Sequence, residues 1–130
     1  MAIKTSLNYS PNFDPKKRKA NQIKFLIFHY TGMRTEKAAI KRLTDIKSEV
    51  SSHYLIKQTG QVINLVPDLY IAWHSGKSSW KKYKSLNRNS IGIEITNHGH
   101  SFGYKKFPKQ QILSLIKLTK FLISKYKINK

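Results

Sequence analysis

The chain has 130 residues, of which 39% are hydrophobic and 12% aromatic, and this is enough for one domain with a buried core. It contains no cysteine, which excludes disulfide bonds, cysteine-based zinc sites and thiol nucleophiles. The sequence has 25 Lys and Arg residues but only six Asp and Glu residues, which gives a net charge of +19. Such a charge would attract polyanions such as nucleic acid, anionic lipid or acidic polymers.

The positive charge is carried mostly by lysines that are spread along the whole sequence. Proteins that read nucleic acid usually concentrate arginines and exposed aromatic residues on one face. We therefore expect no specific nucleic-acid partner, and a basic nucleic-acid binder is kept only as an alternative.

Residues 1–20 are polar and basic, with four consecutive cations at positions 16–19 and no apolar stretch. They lack the hydrophobic region of a signal peptide, and the sequence has no cysteine, so we expect neither a signal peptide nor a lipoprotein anchor. No apolar run in the sequence is long enough to span a membrane. We expect a basic N-terminal arm that lies on the surface or is partly disordered, one domain over residues 21–130, and a cytoplasmic location.

The stretch 23–32 is an apolar run that stops at His29 and Gly32, and it predicts a buried central strand. Ligands often bind at strand ends in α/β sheets, and imidazole is the commonest protein ligand for zinc. A histidine in this position is also often a packed, hydrogen-bonded core residue, so the stretch alone leaves both interpretations open.

The next segments predict a helix and a hairpin. Thr35 is placed to cap a helix that runs to about residue 47, with apolar side chains at helical spacing. Strands at 51–58 and 61–66 flank the turn signal Thr59-Gly60. His53 lies inside this hairpin, where a buried, hydrogen-bonded histidine is the favoured interpretation.

A short apolar piece at 71–76 ends near His74, and a loop-like segment at 77–88 follows. Trp73 and Trp80 flank this segment. Paired tryptophans suit a groove that stacks sugars or peptides, although a tryptophan is also common in a core.

The strand predicted at 90–97 alternates isoleucines with Gly92, Glu94 and Thr96. If the isoleucines face the core, Glu94 points to the other face, where burial would give it the basicity of a general base. A structural ion pair with a lysine is the open alternative. The loop 97–104 contains His98 and His100, and its two glycines favour a mobile turn over a metal pair. An amphipathic helix is predicted from Pro108 to about Tyr126.

Several of these segments, taken in order, resemble the type 2 N-acetylmuramoyl-L-alanine amidases, which are zinc enzymes related to phage lysozyme-like amidases and peptidoglycan recognition proteins. The similarity covers residue 20 to the end and implies an α/β fold with a mixed central sheet flanked by helices. It rests on these blocks: Phe28-His29-Tyr30-Thr31-Gly32; Ser51-Ser52-His53-Tyr54-Leu55-Ile56 with Gly60 and Leu65-Val66-Pro67; Ala72-Trp73-His74-Ser75-Gly76 with Ser79-Trp80; and Asn89-Ser90-Ile91-Gly92-Ile93-Glu94.

The resemblance implies a zinc cofactor with His29 as its first ligand, and Glu94 as the general base that activates the attacking water. The implied reaction is hydrolysis of the amide bond between N-acetylmuramic acid and L-alanine in peptidoglycan or muropeptides. Four further residues would lie near the substrate groove: Tyr54, Trp73, His74 and Asn97.

The sequence departs from the family pattern after the long helix. There the family's second and third zinc ligands are a His that ends a later strand and an Asp in the following loop, with a Lys just before it, and no residue here matches them. We therefore expect the N-terminal part of an amidase domain with a mixed, mainly antiparallel-edged sheet. Its leading function is that of a zinc-dependent amidase, or of an inactive remnant of one that lacks two zinc ligands. A non-catalytic module that binds muropeptides is the main alternative.

Overall fold

The structure is a computed structural model that describes residues 3–75, 79–80, 83–84, 86–99 and 106–129, the two short pieces by their backbone. Two α-helices lie in these residues, α1 (Glu36–Thr44) and α2 (Lys109–Tyr126). The strands are β1 (Ser6–Leu7), β2 (Phe13–Asp14), β3 (Phe25–Tyr30), β4 (Tyr54–Ile56), β5 (Val62–Asn64), β6 (Ile71–Ala72), β7 (Ser79–Trp80), β8 (Tyr83–Lys84) and β9 (Ser90–Ile95).

The main sheet has five strands in the order β1-β5-β4-β9-β3. β9 runs parallel to both of its neighbours, β3 and β4, while β4 pairs antiparallel with β5. Gly60 adopts a φ of +91° in the turn between β4 and β5, a backbone conformation that favours glycine. The α/β fold with a mixed central sheet and the hairpin, both expected from the sequence, are confirmed.

The expectation of mainly antiparallel edges is wrong. Both edge strands of the main sheet, β1 and β3, pair in parallel with their neighbours. The reason is that β9, from late in the chain, lies between β3 and β4. Because β1 also pairs with the other side of β5, the antiparallel hairpin lies in the interior of the sheet. The expectation of a buried central strand through His29 is also wrong, because β3 lies at the edge and its Phe28 and Tyr30 side chains are exposed.

The two helices cover opposite faces of the sheet, because side chains alternate between the faces along each strand. Ile91, Ile93 and Ile95 pack with buried leucines of α2. Glu94 lines a cavity together with residues of α1. The core on the α1 side consists of Ala39, Leu43, Leu55, Ile63 and Leu65.

The N-terminal arm is built into the domain. β1 pairs with β5, and β2 pairs with β6. The side chains of Ser10, Asn12 and Arg18 are buried, and Nδ2 of Asn12 donates to the carbonyl oxygens of Asp45 and Val50, both at 2.8 Å. The expected surface position is therefore wrong for these three residues. Buried carbonyl groups of later loops require donors, and the arm provides them.

The helix predictions are confirmed with small changes at the ends. The hydroxyl of Thr35 accepts a hydrogen bond from Ala38 N at 3.0 Å and caps α1. This helix ends at Thr44, and a 3₁₀ turn over Ile46–Ser48 replaces its predicted last turn. A short β7–β8 hairpin lies in the segment that we expected to be loop.

Candidate active site

His29 and Glu94 lie side by side on neighbouring strands. The parallel register of β3 and β9 pairs His29 with Glu94. Residues paired in this way project to the same face of a sheet. The sequence indicated the two residues separately, and the register brings them together on the α1 side.

A cavity of about 200 Å³ lies between this part of the sheet and α1. Its wall combines a carboxylate, a guanidinium and an imidazole with apolar side chains, which is typical of sites for small polar ligands. The lining includes Arg42, Leu43, Val50, Trp73, His74 and Glu94.

Burial changes the chemistry of Glu94. Its Oε2 atom is buried and has no hydrogen-bond partner among the described residues. Burial raises the pKa of Glu94 to about 7, and the positive charge of Arg42 opposes this shift. The part of the chain that is described places no lysine in ion-pair contact with Glu94. A carboxyl group with a pKa near 7 can act as a general base at neutral pH.

A chain of hydrogen bonds connects His29 to the backbone below the cavity. Nε2 of His29 lies 3.2 Å from Nδ1 of His74, and Nε2 of His74 lies 2.9 Å from Oγ of Ser90. The Ser90 hydroxyl donates to the carbonyl oxygen of Leu86 at 2.7 Å. His29 is therefore anchored through two further side chains.

Burial keeps the histidines of this layer neutral at pH 7. It lowers the pKa of His29, and it lowers the pKa of His74 to about 3. A charge on His74 would in addition be repelled by Arg18 and by any charge that His53 or His29 took up. The pKa of fully buried His53 is also lowered to about 3, first by burial and then by Arg18. Neutral imidazoles each carry one N–H donor and one nitrogen acceptor.

His53 is a buried, hydrogen-bonded histidine, as predicted. Its Nδ1 accepts from Gly92 N at 3.0 Å, so its Nε2 carries the proton and donates to the carbonyl of Tyr70 at 2.8 Å. The ring is fully buried. His53 thus supports the layer beneath the site and does not face the cavity.

Gly92 allows the His74 ring to lie directly against β9. A Cβ atom added at this position would be 2.4 Å from Cγ of His74, far inside contact distance. A glycine inside a strand commonly marks such a close approach. This sequence signal was available, but the sequence alone did not indicate which group approaches.

Arg18 and Asn87 are site-supporting residues that the sequence did not reveal. The Arg18 guanidinium donates to the carbonyl oxygens of Asp68, Asn87 and Arg88 at 2.8–3.1 Å. Oδ1 of Asn87 accepts from the backbone N of His74 at 3.3 Å. Together they hold the segment that carries His74. Arg18 lies among lysines, and only its guanidinium distinguishes it in the sequence.

Trp73 and Asn97 lie at two sides of the site. Trp73 lines the cavity, and its Nε1 donates to Oδ1 of Asp14 at 2.8 Å. Asn97 lies beside a second, smaller cavity that shares Thr31 with the first. Its Oδ1 accepts from Gly99 N at 3.0 Å. The structure therefore brings Trp73 to the site and Asn97 to its margin.

Tyr54 is separated from the other predicted site residues. It belongs to the core on the α2 side of the sheet, opposite to Glu94, and it is 7% exposed. Its hydroxyl donates to Oδ1 of Asp68 at 2.6 Å. We therefore leave Tyr54 out of the substrate groove, because one-residue alternation in β4 turns it away from the cavity.

Two features of the sequence fall outside the described residues, namely His100 and the side chain of Trp80. His98 is described, and it lies beside the second cavity. The interpretation of residues 97–104 as a turn without metal stays a prediction.

The described residues do not make a complete zinc site. Among them no group of three or more His, Asp or Glu side chains is arranged to hold one metal ion. A catalytic zinc ion ordinarily has three protein ligands and an open position. His29 offers a single imidazole next to the carboxylate of Glu94.

The sequence from residue 19 to residue 130 matches the family described as N-acetylmuramoyl-L-alanine amidase. The chain belongs to this amidase family. It is 40% identical over 119 residues to N-acetylmuramoyl-L-alanine amidase AmiD of Escherichia coli K12, a match that covers 82% of this chain and 42% of AmiD. The resemblance seen in the sequence is thereby confirmed.

Solved structures of amidases share the fold of this chain. AmiD from E. coli, in complex with anhydro-N-acetylmuramic acid-L-Ala-D-γ-Glu-L-Lys, matches with a TM-score of 0.75 at 38% identity, covering 83% of this chain and 46% of that one. AmpDh3 from Pseudomonas aeruginosa, in complex with an anhydromuramic pentapeptide, matches with a TM-score of 0.74 at 30% identity, covering 87% and 48%. This chain therefore spans less than half of these relatives.

Neither described helix is long and apolar enough to cross a membrane.

Proposed function

We propose that this amidase-family domain hydrolyses the amide bond between N-acetylmuramic acid and L-alanine in peptidoglycan or in muropeptides. The observation that carries the proposal is the carboxylate of Glu94 at a cavity beside His29, whose buried Oε2 atom has no hydrogen-bond partner among the described residues. The anhydro-muropeptides bound to AmiD and AmpDh3 support the substrate class.

Glu94 would take a proton from the attacking water. The hydroxide equivalent adds to the amide carbonyl carbon, the bond from this carbon to the L-alanine nitrogen breaks, and the proton passes from Glu94 to the departing nitrogen. A pKa near 7 suits both directions of this transfer. Arg42 in the cavity wall favours a ligand with carboxylate groups, and the net charge of +19 favours an acidic polymer.

Zinc is the metal that the family implies, and we propose His29 as one of its ligands. Two further donors would be required in addition to His29, since the described residues contain no three-donor cluster. Metal analysis of the purified chain tests this point. Bound zinc that is lost in His29→Ala would support the proposal, and equal zinc content in both proteins would contradict it.

The reaction itself is tested by incubating the chain with an anhydro-muropeptide and zinc, followed by mass spectrometry. We expect two products, anhydro-N-acetylmuramic acid and a peptide with a free L-alanine amino group, whose masses sum to that of the substrate plus one water. Cleavage at another bond, or an unchanged substrate, would contradict the proposed activity.

A non-catalytic module that binds muropeptides is the second candidate. It is favoured by one observation, the absence of a three-donor cluster in the described part of the chain. Calorimetric binding of the same muropeptide without product formation would identify this function. Binding accompanied by product would reject it.

We propose that the N-terminal arm folds with the domain, although the family match begins only at residue 19. The pairing of β1 and β2 with later strands and the burial of Arg18 support this. The boundary at residue 20 and a cytoplasmic location stay predictions from the sequence.

A further inference from the structure

We propose that His74 is a positioning residue that sets the tautomer and the orientation of the His29 ring, so that Nδ1 of His29 is the nitrogen presented to a ligand. The importance of that nitrogen rests on the proposed function. The hydrogen-bond chain that carries the inference does not depend on catalysis and can be measured without it.

Ser90 determines which groups donate and which accept along this chain of hydrogen bonds. A hydroxyl has one proton to donate. The Ser90 oxygen lies 2.7 Å from the carbonyl oxygen of Leu86, and two oxygens approach this closely when a proton lies between them. The Ser90 oxygen must therefore accept from Nε2–H of His74, which is 2.9 Å away.

The position of the proton on His74 in turn determines the position of the proton on His29. A neutral imidazole carries one proton, so His74 with its proton on Nε2 has a bare Nδ1. This atom accepts from Nε2–H of His29 at 3.2 Å. Nδ1 of His29 is then the bare nitrogen, since the ring bonds to the described residues through Nε2. It is the position on this ring that can bind a metal ion or accept a proton.

The orientation of His74 is fixed on several sides, which makes it a suitable support. Its ring lies against the backbone of Gly92, where even a methyl group would not fit. Its backbone N donates to Oδ1 of Asn87, while Arg18 holds the carbonyl of Asn87 at 3.1 Å. A ring that is fixed in this way transmits one defined orientation to His29.

Nitrogen NMR on the folded, metal-free chain with ¹⁵N-labelled histidine tests the proposal, because protonated and bare ring nitrogens have well-separated shifts. We expect His29 and His74 each to carry the proton on Nε2. His53 should have the same tautomer through an independent route, as its Nδ1 accepts from Gly92 N, and it serves as an internal reference. A proton on Nδ1 of His29 in the unmodified chain would overturn the proposal.

Ser90→Ala removes the acceptor that fixes His74. We expect the rings of His74 and His29 to change from one tautomer to a mixture of two, while His53 keeps its single tautomer. Ser52→Ala is the matched control, since this buried hydroxyl donates to the Tyr54 carbonyl and is not part of the chain. A folded Ser90→Ala protein with an unchanged His29 tautomer would overturn the proposal.

His74→Asn keeps an acceptor near the position of Nδ1, and His74→Phe keeps the ring shape without one. We expect His29 to retain its single tautomer in His74→Asn and to lose it in His74→Phe. A purely structural role for His74 predicts the same His29 tautomer in both folded variants, and that result would contradict the proposal. If either variant fails to fold, the tautomer of His29 in the unmodified chain and in Ser90→Ala still tests the proposal.

Discussion

Glu94 loses hydration on folding without gaining a described hydrogen-bond partner at Oε2. Its pKa rises from 4.5 to about 7 as a result of burial. The folded chain therefore binds this proton more tightly than the unfolded chain does. By linkage, the free energy of unfolding falls as the pH rises from about 4.5 to 7, and the loss is complete above that range.

Replacement by the neutral isostere tests this cost directly. Glu94→Gln should increase the free energy of unfolding at pH 8 by up to roughly 3 kcal/mol and change it little near pH 4. Urea denaturation at the two pH values is the measurement. Glu49→Gln, at an exposed acid, is the control with a small effect at both. An equal effect of Glu94→Gln at both pH values would show that Glu94 is not buried as an acid.

A second prediction concerns the effect of substituting Gly92 on the free energy of unfolding. Gly92→Ala should lower the free energy of unfolding by about 1–3 kcal/mol, since the new methyl group overlaps the His74 ring. In a His74→Ala background the same substitution should cost far less. A double-mutant cycle by urea denaturation measures the coupling. Equal costs in both backgrounds would mean that the ring does not oppose the methyl group.

The sequence predicted individual residues of the site better than their connections. His29 and Glu94 stand out because a histidine that ends an apolar strand and a glutamate among isoleucines are unusual. The link from His29 through His74 to Ser90 joins residues up to 61 positions apart. Such contacts depend on strand register and on a crossover, which local patterns do not specify.

Asp68 connects β4 with the end of α2. Its carboxylate accepts from the hydroxyl of Tyr54 in β4 at 2.6 Å and from the hydroxyl of Tyr126 at the end of α2 at 2.5 Å. Burial, together with the Asp68 charge, raises the pKa of both tyrosines. Lys125 is a weaker partner at 3.8 Å, with half of its side chain exposed.

Asp68→Ala should therefore lower the free energy of unfolding by about 2–4 kcal/mol, because the buried Tyr54 hydroxyl and the half-buried Tyr126 hydroxyl lose a charged acceptor. Lys125→Ala, which removes only an exposed partner, should cost less than about 1 kcal/mol. Guanidinium denaturation of the two variants gives the comparison. Similar losses would contradict the assignment of the stability to the tyrosine hydroxyls.

At the level of elements, the sequence predicted correctly those features that residues close together in the chain determine. The Thr35 cap, the Thr59-Gly60 turn and the apolar stripe of α2 each gave the correct element. The antiparallel edges and the surface arm were wrong, since strand order and the docking of β1 and β2 depend on distant partners. A run of cations conceals the buried Arg18 in the same way.

The net charge of +19 acts on the whole molecule through self-repulsion. Raising the salt from about 0.01 M to 0.15 M shortens the Debye length from about 30 Å to 8 Å. We expect the Tm to rise over this interval in thermal melts. A variant with the exposed Lys37 and Lys41 replaced by Gln should respond less. A Tm that falls with salt would show that attractive ion pairs dominate instead.

On the scale of the molecule, fold class and family followed from the sequence, because ordered blocks along most of the chain reflect one topology. The metal site did not follow in the same way. His29 could be identified from its own strand, whereas a complete coordination sphere is a property of several elements together.

We propose that Glu94 is the proton acceptor of an amidase site, and the initial rate of L-alanyl peptide release from an anhydro-muropeptide measures this role. The rate should fall by about 10²–10⁴-fold in Glu94→Gln, the usual contribution of a general base, while calorimetric binding of the muropeptide is retained. Release at an unchanged rate in Glu94→Gln, or no release by the unmodified chain with zinc present, would contradict the account.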